Sequence, residues 1–442
     1  MEPIVPSPPT PKLNPEQEEA VKLFFDFLLN EEPEMILSGA AGTGKTFTMG
    51  KMIDEIMPKY ASLCQLLGIP QIYSGVMMTA TTNKAAEVLM RATKRPAQTV
   101  HSFMNLKVFN DYETGQTRIG RSKNWKVHSN MILFVDEYSM IDHELHQLIL
   151  QGVIKSKIVY VGDHCQLSPI GEKTSSVNRT KASRAVLTQP MRNGAQPDLV
   201  NLCTQLRATV ETGIFKPIKI VPGVIDHVND EEMEVLIEEH FKNNDNQDKI
   251  LGYTNYRVNQ YNDHIRTLRG LGNLFTVGEQ LVNNSAVQIP RGKLVDKLYT
   301  EEEVEVISVS PDLEVIDLEH NGSMEVQVMQ VRTRLGVVIP NVKVPTDKIH
   351  YNQLLKYYGS KKEWRQYFDL KEQYADLRPK DACTVHKAQG STQHTVFVDL
   401  TDLSSCRDPA VAARLLYVAL SRATDHIILY GELSQKFGGL IR

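Results

Sequence analysis

One eight-residue run, Gly39-Ala-Ala-Gly-Thr-Gly-Lys45-Thr46, restricts the fold of this chain more than any other feature. It lies between an apolar run at residues 35–37 and a stretch of helical composition. Glycines at this spacing let successive backbone N–H groups turn toward one point, and a helix starting immediately afterwards adds the positive end of its dipole. Such a point suits the oxygens of a phosphate chain. A strand that feeds this loop and a helix that returns from it belong to a parallel α/β sheet. Gly39, Gly42, Thr43 and Gly44 form the cradle, Lys45 is placed to neutralise the outer phosphates, and Thr46 to ligate a divalent metal.

The rest of the chain carries the same alternation. Short apolar runs at 75–78, 131–135 and 157–161 each enter a polar or glycine-containing loop and are separated by helical stretches. Near the start, Pro15 opens a helix whose stripe reads Val21, Phe24, Phe25, Leu28 and Leu29. A second set of apolar runs at 249–253, 395–400 and 426–430 predicts a second sheet. Between them, residues 298–310, 313–320 and 324–331 alternate apolar and polar side chains, which predicts antiparallel strands of a small β-barrel. Residues 347–377 turn helical and carry Tyr357, Tyr358, Trp364, Tyr367, Phe368 and Tyr374 among basic residues. Those rings either stack nucleic-acid bases or pack a helical hairpin onto the barrel.

At 442 residues the chain exceeds one ordinary core, so several domains are expected. No apolar run approaches the ~18 residues that cross a bilayer, which argues against a membrane role. Six of the 21 prolines fall in the first fifteen residues, which read as a flexible leader and not a secretory signal. The five cysteines are too scattered for a metal or redox motif, as in a reducing cytoplasm. A net charge of −4 opposes indiscriminate coating of nucleic acid and confines any contact to a local groove.

The run at 132–135 delivers Asp136 and Glu137 at its C-terminal end. Following a phosphate loop, the first acid is placed to hold the metal through its water shell and the second to deprotonate an attacking water. Phosphoryl transfer also needs positive charge on the departing γ-phosphate, and Arg192 and Arg422 are the candidates.

The order of these motifs resembles superfamily 1 helicases, and within them the Dda and RecD group that moves 5′ to 3′. The resemblance spans nearly the whole chain. Asn14-Pro-Glu-Gln17 is similar to the motif whose glutamine reads adenine. Ala80-Thr-Thr82-Asn83-Lys-Ala-Ala86 and Thr99-Val-His101-Ser102 resemble the first DNA-contacting motifs, although Asn83 stands where the Dda pattern has a histidine, which favours hydrogen bonding there over stacking. Gly162-Asp163-His-Cys-Gln166-Leu-Ser-Pro-Ile170 resembles the motif whose glutamine senses the γ-phosphate. In the second half, Leu187-Thr-Gln-Pro-Met-Arg192 resembles the first arginine motif and Tyr253-Thr-Asn255 a DNA-contacting turn. Thr384-Val-His386-Lys387-Ala-Gln389-Gly390 resembles the coupling motif, and Leu416-Tyr417-Val-Ala-Leu-Ser421-Arg422 the motif of the second arginine.

The resemblance implies two RecA-like parallel-sheet domains sharing one ATP and Mg2+, with single-stranded DNA across their top. The first domain would comprise residues 1–105 and 131–185, and the second 186–274 and 380–442. A strand-separating pin would occupy 106–130, and an SH3-like β-barrel with helices 275–379. The pin region carries five Lys/Arg against two Asp/Glu, with Phe109, Tyr112 and Trp125 as possible wedges and a turn at residues 111–115. Lys45, Glu137, Gln166, Arg192 and Arg422 would be catalytic. Gln17, Asp136, Gln389 and Gly390 join the loop in binding nucleotide, with Thr46 and Asp136 on the metal. Thr82, Asn83, His101, Ser102, Asn255, Thr384 and His386 would touch DNA. Such a motor works as a monomer at duplex junctions, in a bacterial or phage-infected cell, alongside replication or repair proteins. An RNA motor, or a binding protein switched by ATP without unwinding, are the alternatives.

Overall fold

The computed structural model describes residues 12–169, 171–189, 191, 196–243, 248–292, 294–318 and 322–442. The leader through residue 11 and the candidate Arg192 lie outside them. The first helix, Pro15–Leu29, opens on a capping box: the Asn14 side chain accepts from the Gln17 N–H at 2.8 Å, and the Gln17 side chain accepts from the Asn14 N–H at 3.1 Å. Its buried face is Gln17, Ala20, Val21, Phe24, Phe27 and Leu28, so Phe27 completes the stripe and the exposed Leu29 does not.

The first sheet is fully parallel, with strands in the order Ser183–Leu187, Glu34–Gly39, Lys157–Gly162, Met131–Asp136, Gly75–Ala80 and Ala97–Thr99. Leu187 pairs with Gly39, so this sheet runs past the expected domain limit at residue 185. Its two cores lie on opposite faces, one under the first helix around Phe24, Leu37 and Phe134, the other around Ile36, Val135 and Tyr160. A second parallel sheet orders Ile225–Val228, Ala423–Tyr430, Gln393–Asp399, Lys249–Gly252 and Ala382–Thr384. The outer strands Ala97–Thr99 and Ala382–Thr384 hold three residues each, too short for an apolar run to announce them.

Residues 106–130 begin as an antiparallel hairpin of Leu106–Asn110 and Thr117–Arg121. Asp111 accepts from the N–H groups of Glu113 and Thr114 at 2.9 and 3.1 Å, an Asx turn, and Gly115 takes a left-handed φ of 71°. Trp125 lies at the hairpin's base, where a Cβ on Gly152 would come within 2.9 Å of its ring, so it is not a tip residue.

The insertion in the second domain is an antiparallel six-stranded sheet that includes Gln280–Asn283, Glu303–Val309, Ser323–Thr333 and Val338–Pro345 around one core, with a hairpin of Val287–Arg291 and Leu294–Leu298 beside it. Two helices, Lys348–Lys361 and Trp364–Gln373, follow. Tyr358 and Tyr374 pack onto the sheet with Met324 and Val326, as a helical hairpin would. Phe368 and Trp364 do something else: Phe368 meets Tyr112 of the pin edge-on at 5.7 Å, and a Cβ on Gly115 would lie 2.5 Å from the Trp364 ring. The Asn110 amide also donates to the Glu372 carboxylate. The pin is therefore docked on the helices of the insertion. Among the described residues no helix is long and apolar enough to cross a membrane.

Candidate active site

The strand Glu34–Gly39 ends at the glycine loop, and the helix Lys45–Lys51 starts directly from it. Gly42 and Gly44 both take φ of 82°, the left-handed region that turns the backbone N–H groups inward. Lys45 Nζ folds back onto the loop, donating to the carbonyls of Gly39 and Ala40 at 2.7 and 3.0 Å. Gln17 is buried beneath and donates to the Thr43 carbonyl at 3.1 Å, so the first helix braces the loop from below. Thr46 sits half-buried one position after the lysine, at the helix start.

Two strands away, Met131–Asp136 presents Asp136, whose Oδ1 accepts from the Glu137 N–H at 2.9 Å. Burial pushes the Asp136 carboxyl up to about 7, Glu137 adds to the rise, and Lys45 opposes it. Glu137 is held at φ 56°, a strained value for a side-chain-bearing residue. Its Oε2 is buried with no partner, and so are Gln166 Oε1 and Gln389 Oε1. Buried acceptors are rarely left unpaired, and these are where a water or metal-bound water would donate.

The second domain supplies the facing wall. Gln389 Nε2 donates to Ser139 Oγ at 3.0 Å, and a Cβ on Gly390 would lie 3.6 Å from Glu137 Oε1. Arg422 is buried, with its guanidinium donating to the carbonyls of Val418 and Ser391, both at 3.0 Å, and to Ser421 Oγ at 2.9 Å. Burial lowers its basicity, and Glu137 is the strongest charge opposing that. A cleft of 360 Å³ runs between residues 40–43 of the loop and Leu199, Cys203, Arg207 and Tyr417 of the second domain. Of the catalytic candidates, Lys45 and Glu137 belong to the first domain and Arg422 to the second, with Gln166 on the turn after the strand Lys157–Gly162.

The polymer-contact candidates occupy other strand tips. Thr82 caps the helix Asn83–Thr93, its hydroxyl accepting from the Ala85 N–H at 3.2 Å, and leaves Asn83 exposed. Thr99 caps the next turn and donates to Ser102 Oγ at 3.0 Å; Ser102 is exposed, and His101 is half-buried with its basicity lowered by burial. Asn255 is exposed and accepts from Arg378 at 2.9 Å, and His386 is exposed near Tyr253, 6.3 Å between ring centres. Thr384 departs from expectation. It is buried, on the lining of a small cavity it shares with the cations Lys84, Lys249, Arg378 and Lys387 and the carboxylates Glu301 and Glu303.

Comparison with known proteins places these motifs. Residues 17–172 match the model of an AAA domain, and residues 381–430 match that of the UvrD-like helicase C-terminal domain. The chain is 23% identical over 447 residues to the ATP-dependent DNA helicase dda of Enterobacteria phage T4, covering 92% of this chain and 96% of that one. Both domain matches and this relative are of the kind expected for a superfamily 1 helicase. Another helicase-length relative, an uncharacterized protein of Acanthamoeba polyphaga mimivirus, is 22% identical with 94% of this chain and 99% of that one covered. In architecture the chain is similar to the Bacteroides Pif1 helicase solved with ADP-AlF3 and ssDNA, with a TM-score of 0.52 at 15% identity over 98% of this chain and 95% of that one.

Sheet order keeps the two sets of candidate residues apart. The loop, the Asp163–Gln166 turn and Asp136 leave three adjacent central strands, whereas Thr82 and Thr99 leave the two strands at one edge. Reading along the sequence missed Arg207 and Lys84 as groups lining the clefts, and Arg414 as a donor to the His164 and Gln166 carbonyls. Lys84 stands inside the motif at residues 80–86, directly after Asn83. Arg207 and Arg414 carry no sequence signal, because their partners lie in the other domain.

Proposed function

We propose that this chain is an ATP-dependent DNA helicase that moves 5′ to 3′ on single-stranded DNA and parts the duplex ahead of it. The observation that carries this is Glu137, a carboxylate with one buried unpartnered oxygen, set next to the loop lysine's domain and faced by Gln389, Gly390 and Arg422 of the second domain. Such an arrangement suits a base for hydrolytic water that is completed only when both domains meet. A protein that merely switches on nucleotide binding has no use for it.

The residues fit ATP and Mg2+. Lys45 would leave the Gly39 and Ala40 carbonyls for the phosphates, Thr46 and Asp136 would hold the metal, and Gln17 would read the base edge from under the loop. Metal and nucleotide together supply charge neutralisation and a polarised phosphoryl group; the chain supplies the base, the positioning glutamines Gln166 and Gln389, and the cations Arg422 and Arg192. The polymer would run over Asn83, Ser102, Asn255 and His386, with the docked pin at residues 106–121 meeting the duplex junction. Since one chain closes its own cleft, a monomer suffices. All five cysteines are thiols, which fits a reducing cytoplasm.

The test is turnover with and without single-stranded DNA, then unwinding of duplexes bearing a 5′ or a 3′ tail. The reading requires strong stimulation by the strand, its loss in Lys45→Ala, and unwinding of the 5′-tailed duplex. Stimulation by RNA but not DNA of equal length would make the chain an RNA motor, and unwinding of the 3′-tailed duplex alone would reverse the polarity.

A further inference from the structure

The turn that carries Gln166 belongs to the first domain by chain order, since it leaves the strand Lys157–Gly162. Its contacts belong to the second. Asp163 is fully buried, and its carboxylate accepts from Tyr417 Oη at 2.6 Å and from Arg207 Nη1 at 2.8 Å. Arg414 Nη1 donates to the carbonyls of His164 and Gln166 at 2.6 and 2.5 Å. Cys165 and Leu167 sink into the second domain's core beside Leu202, Leu416 and Val418. The turn itself is tied inward, because Asp163 Oδ1 also accepts from the Cys165 N–H at 3.1 Å and the Gln166 N–H donates to the Asp163 carbonyl at 3.2 Å.

The donors sit on two helices of one body. Arg207 is on Pro197–Thr212, and Arg414 and Tyr417 are on Pro409–Leu420, which ends directly at Ser421 and Arg422. Gln166 and Arg422 are thus both fastened to the helix Pro409–Leu420, one through Arg414 and the other at its C-terminal end.

We propose that Arg207, Arg414 and Tyr417 are positioning residues that make Gln166 move with the second domain, so that Gln166 and Arg422 reach the γ-phosphate together on closure. Hydrogen bonds to a buried carboxylate are strong and directional, and losing a donor leaves the charge short of a partner. Burial and the neighbouring Asp163 both raise the Tyr417 phenol, which keeps it a donor across the working pH range. Arg207 is placed between Asp163, Glu211 at 3.5 Å and the His164 ring at 3.4 Å, so it orients the turn from the cleft side.

The inference rests on the proposed function and is tested on the full-length protein with Tyr417→Phe, Arg207→Ala and Arg207→Lys. Binding of a fluorescent ATP analogue, thermal melting and the kcat and KM of strand-stimulated hydrolysis are measured. Tyr417→Phe removes one oxygen and keeps the ring's packing, so fold and analogue affinity stay close to wild type. Its stimulated kcat falls roughly tenfold to a hundredfold, the scale of one hydrogen bond to a buried charge, with little change in KM. Arg207→Ala does the same, and Arg207→Lys restores part of the loss. Wild-type kcat in both Tyr417→Phe and Arg207→Ala overturns the inference, as does a loss confined to KM or one that tracks only the melting temperature. A wild-type protein without strand-stimulated hydrolysis would instead refute the functional reading on which this stands.

Discussion

Docking of the pin on the insertion's helices should be redundant, so single substitutions and combinations should behave differently. The Tyr112 and Phe368 rings, 5.7 Å apart and edge-to-face, contribute ~1 kcal/mol. The Asn110 amide on the Glu372 carboxylate contributes ~2 kcal/mol as a hydrogen bond to a charged group. Tyr112 remains 55% exposed, so apolar burial adds little to either figure. Together they hold the docked state by ~3 kcal/mol, a ratio of roughly 160 to 1. Tyr112→Ala alone leaves ~2 kcal/mol, about 30 to 1, and almost every molecule stays docked. With Asn110→Ala added the ratio approaches about 1 to 1, and Trp364→Ala would tip it further by freeing Gly115. The assay is single-turnover unwinding of a 5′-tailed fork beside strand-stimulated hydrolysis on the same preparations. Unwinding should stay near wild type in Tyr112→Ala, fall by about half in the double variant and further in the triple, while hydrolysis holds throughout. A triple variant that unwinds at the wild-type rate, or losses of hydrolysis in step with unwinding, would refute the account.

Asp136 gives a pH signature. With its carboxyl raised from 3.8 to about 7 by burial, the nucleotide-free fold retains a proton there that the unfolded chain has lost, so this group's contribution to stability declines as pH rises across that interval. Metal–nucleotide binding needs the ionised form and should tighten as pH rises toward and through about 7, while Asp136→Asn should flatten that dependence; calorimetric titrations at three pH values would check both. Gly44→Ala should cost more than ~1 kcal/mol of stability and most of the nucleotide affinity, because φ is +82° and the new Cβ would sit 2.5 Å from Gln17 Nε2. Glu301 faces Lys84, Lys387 and Lys249 around the cavity that the contact candidates Asn255 and Thr384 also line, so Glu301→Gln should tighten single-stranded DNA binding severalfold at low salt, and unchanged or weaker binding would count against it.

How much of this was legible in the sequence follows from what each feature depends on. The glycine loop and the Asp136-Glu137 strand end were readable because local backbone geometry dictates residue type there. The first helix was readable as a helix, and Phe25 does pack against the core, but the stripe was drawn out to the exposed Leu29 and missed the buried Phe27, which the sheet beneath it selects. The short edge strands and the hairpin Val287–Leu298 had no apolar run long enough to stand out. The aromatic helices offered base stacking or packing on the barrel; Tyr358 and Tyr374 pack the insertion, while Trp364 and Phe368 meet the hairpin at residues 106–121, a role neither expectation included. Arg207 was silent because Asp163, its partner, is brought to it only by the meeting of two domains. A contact that arises from tertiary juxtaposition leaves no periodic trace in either segment.

The order of strands in the first sheet has a mechanical meaning. Ala80 lies opposite Asp136 in register, Thr79 Oγ1 donates to the Phe134 carbonyl at 2.8 Å, and Thr81 Oγ1 reaches the Glu137 carbonyl at 3.5 Å. The candidate polymer-contact tip and the proposed hydrolytic carboxylate are therefore neighbours separated by one strand spacing of about 4.8 Å. A pull on the strand at Thr82 acts on Glu137 as a short crank acts on its shaft. A hydrogen-bonded sheet resists shear, so the give must come from the turns beyond the strand ends, where Glu137 already sits at a strained backbone angle.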